Sequence, residues 1–317
     1  YNPNSVLPVN EMLEREFHVH NDLPAITIEQ EGPGVIVWDA AEALVGWMAS
    51  SIASREALRS HGASSVPAHP LASIGSEFDT AIELGCSTGI CGITLAMLGC
   101  GRVVATDADR AALDLARKNG KANKMLSLRT HPLEWGKEGA RQIRPAIRAA
   151  GGTCSLIVAA DALSSPDPAV HDDLEDTLRA LIHEGGCKLV VLSWTVRNYK
   201  EETYLERFRN LGRVQTVWRG RLKRSKNPPD EPDEWSRLAA VANGDDMSAD
   251  APPADGAPFE EVVAWKGKMS GTIGIATLEV DPALVHTPKG TELSDSPNLW
   301  DAIKNWVGPM TVTNGVG

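Results

Sequence analysis

The sequence predicts a three-layer α/β fold, a mostly parallel sheet with helices on both faces. Short apolar runs that stop at glycine or acid alternate with longer segments of helical periodicity, the order of a parallel sheet wound through crossover helices. At residues 80–107 one such run meets a glycine-rich turn, a helix follows, and a second run delivers an acid at position 107. This is the unit with which open sheets hold nucleotide-like ligands. Near the end, the strand-like runs 213–218 and 272–280 have no helical pattern between them, which predicts an antiparallel edge.

Bulk properties narrow the class. A chain of 317 residues can bury a full core. Its 42% hydrophobic and 23% charged content is ordinary for a globular protein. No apolar run approaches the ~20 residues that span a bilayer, so no membrane insertion is expected. A formal net charge of −11 argues against a broad nucleic-acid surface. Arg219, Arg221, Lys223, Arg224 and Lys226 form a local basic run, read as a solvated loop, with docking to an acidic protein or RNA phosphate as the sharper alternative. The five cysteines are odd in number and show no CxxC spacing, as expected of buried thiols in a reducing, cytoplasmic setting. Because the chain begins at Tyr1, an organelle address stays open.

Taken in order, residues 1–24 read as an irregular N-terminal arm with Pro3, Pro8 and Pro24. His18 and His20 there lack further ligands and read as surface residues, so no metal is expected. Residues 25–280 read as one domain. Its first strand, 25–30, alternates in character; Pro33-Gly34 turns the chain, and Trp38-Asp39 opens a helix with Asp39 as N-cap and Ala40, Leu44, Trp47 and Met48 on its buried face. Residues 60–76 read as a loop. After the unit at 80–107, a crossover helix spans 110–124, a short strand 126–129 and a helix 142–150. A buried strand at 155–160 ends at Asp161; a helix at 169–183, a strand at 188–193 and a helix at 201–211 follow. A flexible acidic, proline-rich insertion at about 225–260 precedes the last strand. The tail, 281–317, carries one helical segment at 297–307.

Ligand class follows from the glycine turn. A phosphate loop needs Gly-Lys-Ser/Thr, and no Lys follows here. A dinucleotide fingerprint from Gly85 would need glycines where Ser87 and Ile90 stand. The spacing Glu83-x-Gly85-x-Ser87-x-Gly89 is instead similar to motif I of the seven-strand S-adenosylmethionine methyltransferases. Five further pieces occur in matching order: Val37-Trp38-Asp39-Ala40-Ala41; Thr106-Asp107 with Asn119 and Asn123 on the next helix; Leu133-Glu134-Trp135-Gly136; Ala160-Asp161; and Arg197 with Glu202 and Tyr204. Together they resemble the family-16 (methyltransferase-like) protein-lysine methyltransferases, whose members act on chaperones, elongation factors and other proteins.

The resemblance implies a Rossmann-like class I methyltransferase sheet of seven mostly parallel strands with an antiparallel edge hairpin. It implies S-adenosyl-L-methionine as cofactor and a protein substrate, most simply a lysine side chain on a chaperone, elongation factor or complex subunit. By the same resemblance Gly85, Ser87 and Gly89, with Glu83, would cradle the methionine part, Asp107 would bind the ribose, Trp38 and Trp135 would pack on the cofactor, and Ala160 and Asp161 would face the reacting methyl, with Asp161 orienting the acceptor nitrogen. Two departures stand out. Ser87 replaces the family's middle glycine, and Ser164 replaces the aromatic of the family's Asp-x-x-aromatic pattern. They leave two alternatives open: a catalytically inactive subunit of this fold with a structural or assembly role, and a small-molecule N-methyltransferase.

Overall fold

The computed structural model describes residues 12–31, 35–61, 69–197, 200–222 and 272–285. Its elements, in chain order, are β1 (Met12–Phe17), β2 (Ile26–Glu31), α1 (Asp39–Ala49), α2 (Ser51–His61), β3 (Thr80–Leu84), α3 (Ile90–Met97), β4 (Arg102–Asp107), α4 (Arg110–Ala122) and β5 (Leu128–Pro132). Then come α5 (Ala140–Ala149), β6 (Leu156–Ala160), α6 (Pro168–Gly185), β7 (Leu189–Thr195), α7 (Lys200–Arg207), β8 (Gly212–Gly220) and β9 (Ile273–Val280). The expected acidic insertion, the expected helical segment of the tail and the basic run from Lys223 onward lie outside the described residues.

Seven strands form the main sheet in the order β5-β4-β3-β6-β7-β9-β8. The first five neighbours run parallel, and β9 is antiparallel to both β7 and β8. This is the sheet the sequence resemblance implies, seven mostly parallel strands with an antiparallel edge. The chain winds outward from β3 to β5, returns across the sheet to β6, and winds outward again. The reversal between β3 and β6 opens a crevice at the strands' carboxyl ends, where such sheets bind ligands.

Burial on both faces explains the unbroken apolar strands. In β6, Ile157 and Ala159 pack against α5 and α6, while Leu156 and Val158 face α1 and α3; all four are fully buried. Acid side chains start two of the crossover helices. Asp109 caps α4 by accepting from Ala111 N–H at 2.8 Å, and Asp167 caps α6 by accepting from Ala169 N–H at 2.9 Å, with Pro168 set in the first turn.

Three differences from the sequence reading have physical causes. Residues 12–17, assigned to an irregular arm, form β1 and pair antiparallel with β2; the exposed run Glu14-Arg15-Glu16 between Leu13 and Phe17 breaks the alternation that marks a strand. Residues 51–61 form α2, whose polar composition hid its periodicity. The N-cap of α1 is Trp38 rather than Asp39. Asp39 occupies the first turn instead, where a negative charge meets the positive end of the helix.

The β1–β2 hairpin is clasped to α4 by two asparagines. Asn119 accepts from Glu29 N–H at 2.9 Å and donates to Glu29 O at 3.1 Å; Asn123 does the same with Thr27, at 2.9 and 2.6 Å. A primary amide imitates a peptide group. Residues four apart on a helix are separated by about 6 Å along its axis, close to the two-residue repeat of a strand. The two side chains thus act as a strand edge for β2. Asn119 also donates to Thr88 O in the glycine turn at 2.9 Å, so the clasp reaches the site. Asn119→Ala would strand buried partners and is expected to lower stability by about 2–3 kcal/mol in urea unfolding. Lys118→Ala, which removes a partly exposed ion pair with Glu29, should cost less than ~1 kcal/mol. Equal losses in the two variants would contradict the clasp.

Candidate functional site

The glycine turn is built from left-handed backbone. Gly85, Ser87 and Gly89 have φ of 66°, 47° and 80°. Gly89 is required by packing as well, since a Cβ there would lie 2.8 Å from Ala116 Cβ on α4. At Gly85 an added Cβ would meet only the Trp135 ring edge, at 3.6 Å, among the described residues. The space beside that backbone is open, with an indole as its wall. Ser87 bears a side chain in a conformation that costs on the order of 1–2 kcal/mol outside glycine. Its N–H donates to Asp107 Oδ2 at 3.0 Å, which offsets that cost, and its hydroxyl reaches Ile36 O at 3.5 Å.

Asp107, half-buried at the end of β4, joins the next helix too: its Oδ1 accepts from Asp109 N–H at 2.9 Å. Each oxygen keeps a lone pair for a hydroxyl donor. Trp135 is half-buried and set by its neighbour. Gly136 has φ of 76° and donates to the buried Thr177 hydroxyl at 2.9 Å, and a Cβ there would strike Asp173 Oδ1 at 2.1 Å.

Glu83 lies beneath the turn. It is 2% exposed, and its Oε2 accepts from Gly92 N–H in the first turn of α3 at 2.9 Å. Burial pushes its carboxyl up to about 8, against the opposing hydrogen bonds from Gly92 and Cys91. The sequence reading places Glu83 among the cofactor-binding residues; in the structure its carboxyl group is engaged with α3 beneath the turn.

Residues 36–40 cross the carboxyl edge of the sheet. Ile36 O meets Ser87, Ala40 O accepts from the buried Ser193 hydroxyl at 2.9 Å, and between them Trp38 holds its side chain 41% exposed. The described residues thus bring the glycine turn, Asp107, Trp135 and the Trp38 segment around one crevice.

Its other side is the end of β6. Ala160 is half-buried and pairs with Ser193, and Asp161 turns left-handed at φ 58° with its N–H on Ser193 O at 2.7 Å. The Asp161 carboxylate accepts from Thr195 N–H at 3.1 Å and from both terminal nitrogens of Arg197, at 2.9 and 2.6 Å. The buried glutamate beside Arg197 is Glu201, whose Oε1 accepts from Arg197 N–H at 3.1 Å; the sequence reading chose Glu202. The four-residue spacing to Arg197 was the available signal. Ser164 is exposed, and Tyr204 of α7 stacks on His171, with ring centroids 3.5 Å apart and His171 Nε2–H donating to Ser165 O. Among the described residues no cluster of His, Cys, Asp and Glu is suited to a metal ion.

These residues fit the cofactor that the sequence resemblance implies. Open backbone at Gly85 suits close approach of an amino-acid moiety, Asp107 suits a diol, and the Trp135 edge suits a flat base.

A family model described as lysine methyltransferase matches residues 20–211. No curated protein matches the chain. Among solved structures, it is similar to a Streptococcus mutans protein described as an S-adenosylmethionine-dependent methyltransferase, with TM-score 0.45 and 11% identity over 86% of this chain and 57% of that one. It is also similar to a dimethyladenosine transferase from Plasmodium falciparum, with TM-score 0.34 and 12% identity over 64% and 56%. A third is the Pyrococcus abyssi tRNA (uracil-54, C5)-methyltransferase in complex with S-adenosyl-L-homocysteine, with TM-score 0.36 and 12% identity over 65% and 40%. The chain therefore spans little more than half the length of the first two.

Glu83 supplies a pH test of the turn. Its carboxyl rises from 4.5 to about 8 on folding, so the folded state holds a proton there that the unfolded state releases. Its contribution to stability is full below pH 4.5 and is lost as pH rises through about 8. Glu83→Gln keeps an acceptor for Gly92 and carries no charge. Its urea midpoint should fall less than that of the wild type across this window; parallel curves would contradict the buried-acid assignment.

Proposed function

The chain belongs to the lysine methyltransferase family, and from that premise we propose that it transfers a methyl group from S-adenosyl-L-methionine to a lysine side chain of a protein. The observation that carries this reading is the left-handed glycine turn tied to Asp107 at the carboxyl edge of the sheet. When bound, the cofactor supplies an activated methyl on a sulfonium, so the chain's own residues need only bind, orient and exclude water.

Gly85, Ser87 and Gly89 would receive the methionine part. Asp107 would hold the ribose hydroxyls through its remaining lone pairs. Trp135 would lie against the base and Trp38 over the open side. Glu83 would act from below, keeping α3 seated on the turn. Asp161, beside Ala160, would accept a hydrogen bond from the acceptor nitrogen and aim its lone pair at the methyl carbon. Asp161 at the rim offers an acceptor for the N–H of an attacking amine, which supports lysine. With Ser164 exposed, part of the wall around the acceptor would come from the substrate protein itself.

The substrate would be a chaperone, an elongation factor or a complex subunit. Five free, buried cysteines support a cytoplasmic setting, and no helix among the described residues is long and apolar enough to cross a membrane. An inactive structural subunit draws no support from the family match.

Incubation of a protein extract with labelled S-adenosyl-L-methionine, followed by acid hydrolysis, tests the acceptor. Label should appear as methylated lysine. Label confined to other amino acids or to small molecules would overturn the lysine assignment. Asp107→Ala should raise the cofactor KM at least tenfold, about 1.4 kcal/mol, as expected for loss of a charged hydrogen bond to a hydroxyl. An unchanged KM would remove Asp107 from the ribose site.

A further inference from the structure

Asp161 does not stand alone at the end of β6. Oδ1 accepts from Thr195 N–H and Arg197 Nη1, and Oδ2 accepts from Arg197 Nη2. Two parallel bonds to one guanidinium fix the plane of the carboxylate and offset its charge, yet leave a lone pair on Oδ2. Arg197 is anchored in turn: Nη1 also donates to Thr195 O at 3.2 Å, and its backbone N–H is held by Glu201. The carboxylates that act on it come from three places, Asp161 after β6, Glu201 on α7 and Asp39 on α1, and the guanidinium is held charged chiefly by its bonds to Asp161.

An acceptor amine attacks through its lone pair, so it must first lose a proton. A lysine keeps that proton to about pH 10.4 in water, a nearby carboxylate raises the value, and a nearby cation lowers it. An unpaired Asp161 beside Asp39 and Glu201 would hold the acceptor in its unreactive, charged form. We propose that Arg197 is a positioning residue that orients Asp161 and cancels its charge, so that the carboxylate accepts a hydrogen bond from the acceptor amine without stabilising the ammonium. This role rests on the methyl-transfer reading above. In the step it serves, the ammonium gives one proton to water. The nitrogen lone pair then forms the N–C bond as the C–S bond breaks, with that bond's electron pair passing to sulfur. The product leaves as a methylated amine bearing the positive charge.

The test is the pH–rate profile of labelled-methyl transfer at saturating S-adenosyl-L-methionine and at extract concentrations that saturate the rate, so that the limb reports the bound acceptor, with the S-adenosyl-L-homocysteine affinity of each protein measured alongside. Arg197→Gln should move the rising limb of the profile to higher pH by roughly one unit, the direction and scale expected when a neighbouring cation is removed. Arg197→Lys, which keeps the charge without the paired bonds, should keep the limb in place and lose rate at every pH. Asp161→Asn, which keeps an oxygen for Arg197 and loses the negative charge, should move the limb to lower pH. It decides the matter if Arg197→Gln does not fold. A limb that stays put in Arg197→Gln or in Asp161→Asn, with rate alone reduced, overturns the charge-cancelling role and leaves Arg197 as a strut. A wild-type chain that binds no S-adenosyl-L-homocysteine overturns the methyl-transfer reading itself, a separate and recognisable failure.

Discussion

The hydrogen bond from Ser87 N–H to Asp107 Oδ2 is the contact on which the site depends. It joins the turn after β3 to the end of β4, so the crevice inherits the rigidity of two paired, buried strands. It also holds Ser87 in a left-handed conformation that would otherwise be unfavourable. The same carboxylate starts the next loop through Asp109 N–H. One acid thereby sets a turn, a helix start and the polarity of the crevice between them.

The rest of the site repeats this pattern. The side chains around the crevice are fixed by neighbouring elements. Asp161 leaves β6 and is held from β7 through Thr195 and Arg197. Trp135 follows β5 and is set through Gly136 against α6. The Trp38 segment is tied at both ends, at Ser87 and at Ser193. Asn119 links the glycine turn to the N-terminal hairpin, so turn, α4 and β2 are held together. Polar contacts of this kind lie at the sheet's rim, while apolar packing on both faces of the strands supplies the frame.

Much of the frame was legible in the sequence because it rests on local chemistry. Buried parallel strands read as apolar runs, and Asp109 and Asp167 announce helix starts at fixed spacing. The antiparallel edge followed from two strand-like runs with no helical pattern in the sequence between them, and it stands as β8 and β9. What stayed hidden depends on partners distant in the chain. β1 is a strand because β2 lies beside it, and its centre is the charged run Glu14-Arg15-Glu16. Glu83 reads as part of a ligand motif, yet its carboxylate turns inward to Gly92, a contact set by where α3 sits. The pairing of Asp161 with Arg197 spans 36 positions, and no spacing rule announces it. The bond from Arg197 N–H to Glu201 depends on where α7 is set against the end of β7.

Every role assigned around the crevice presumes that the turn and Asp107 receive the same ligand. Calorimetric titration of the full chain with S-adenosyl-L-homocysteine tests that most directly, because it needs no substrate. Binding with a micromolar dissociation constant and a stoichiometry of one is the predicted result. Absence of binding by a chain that unfolds cooperatively in the same buffer would contradict it, and the crevice would then be a relic of the fold rather than a working site.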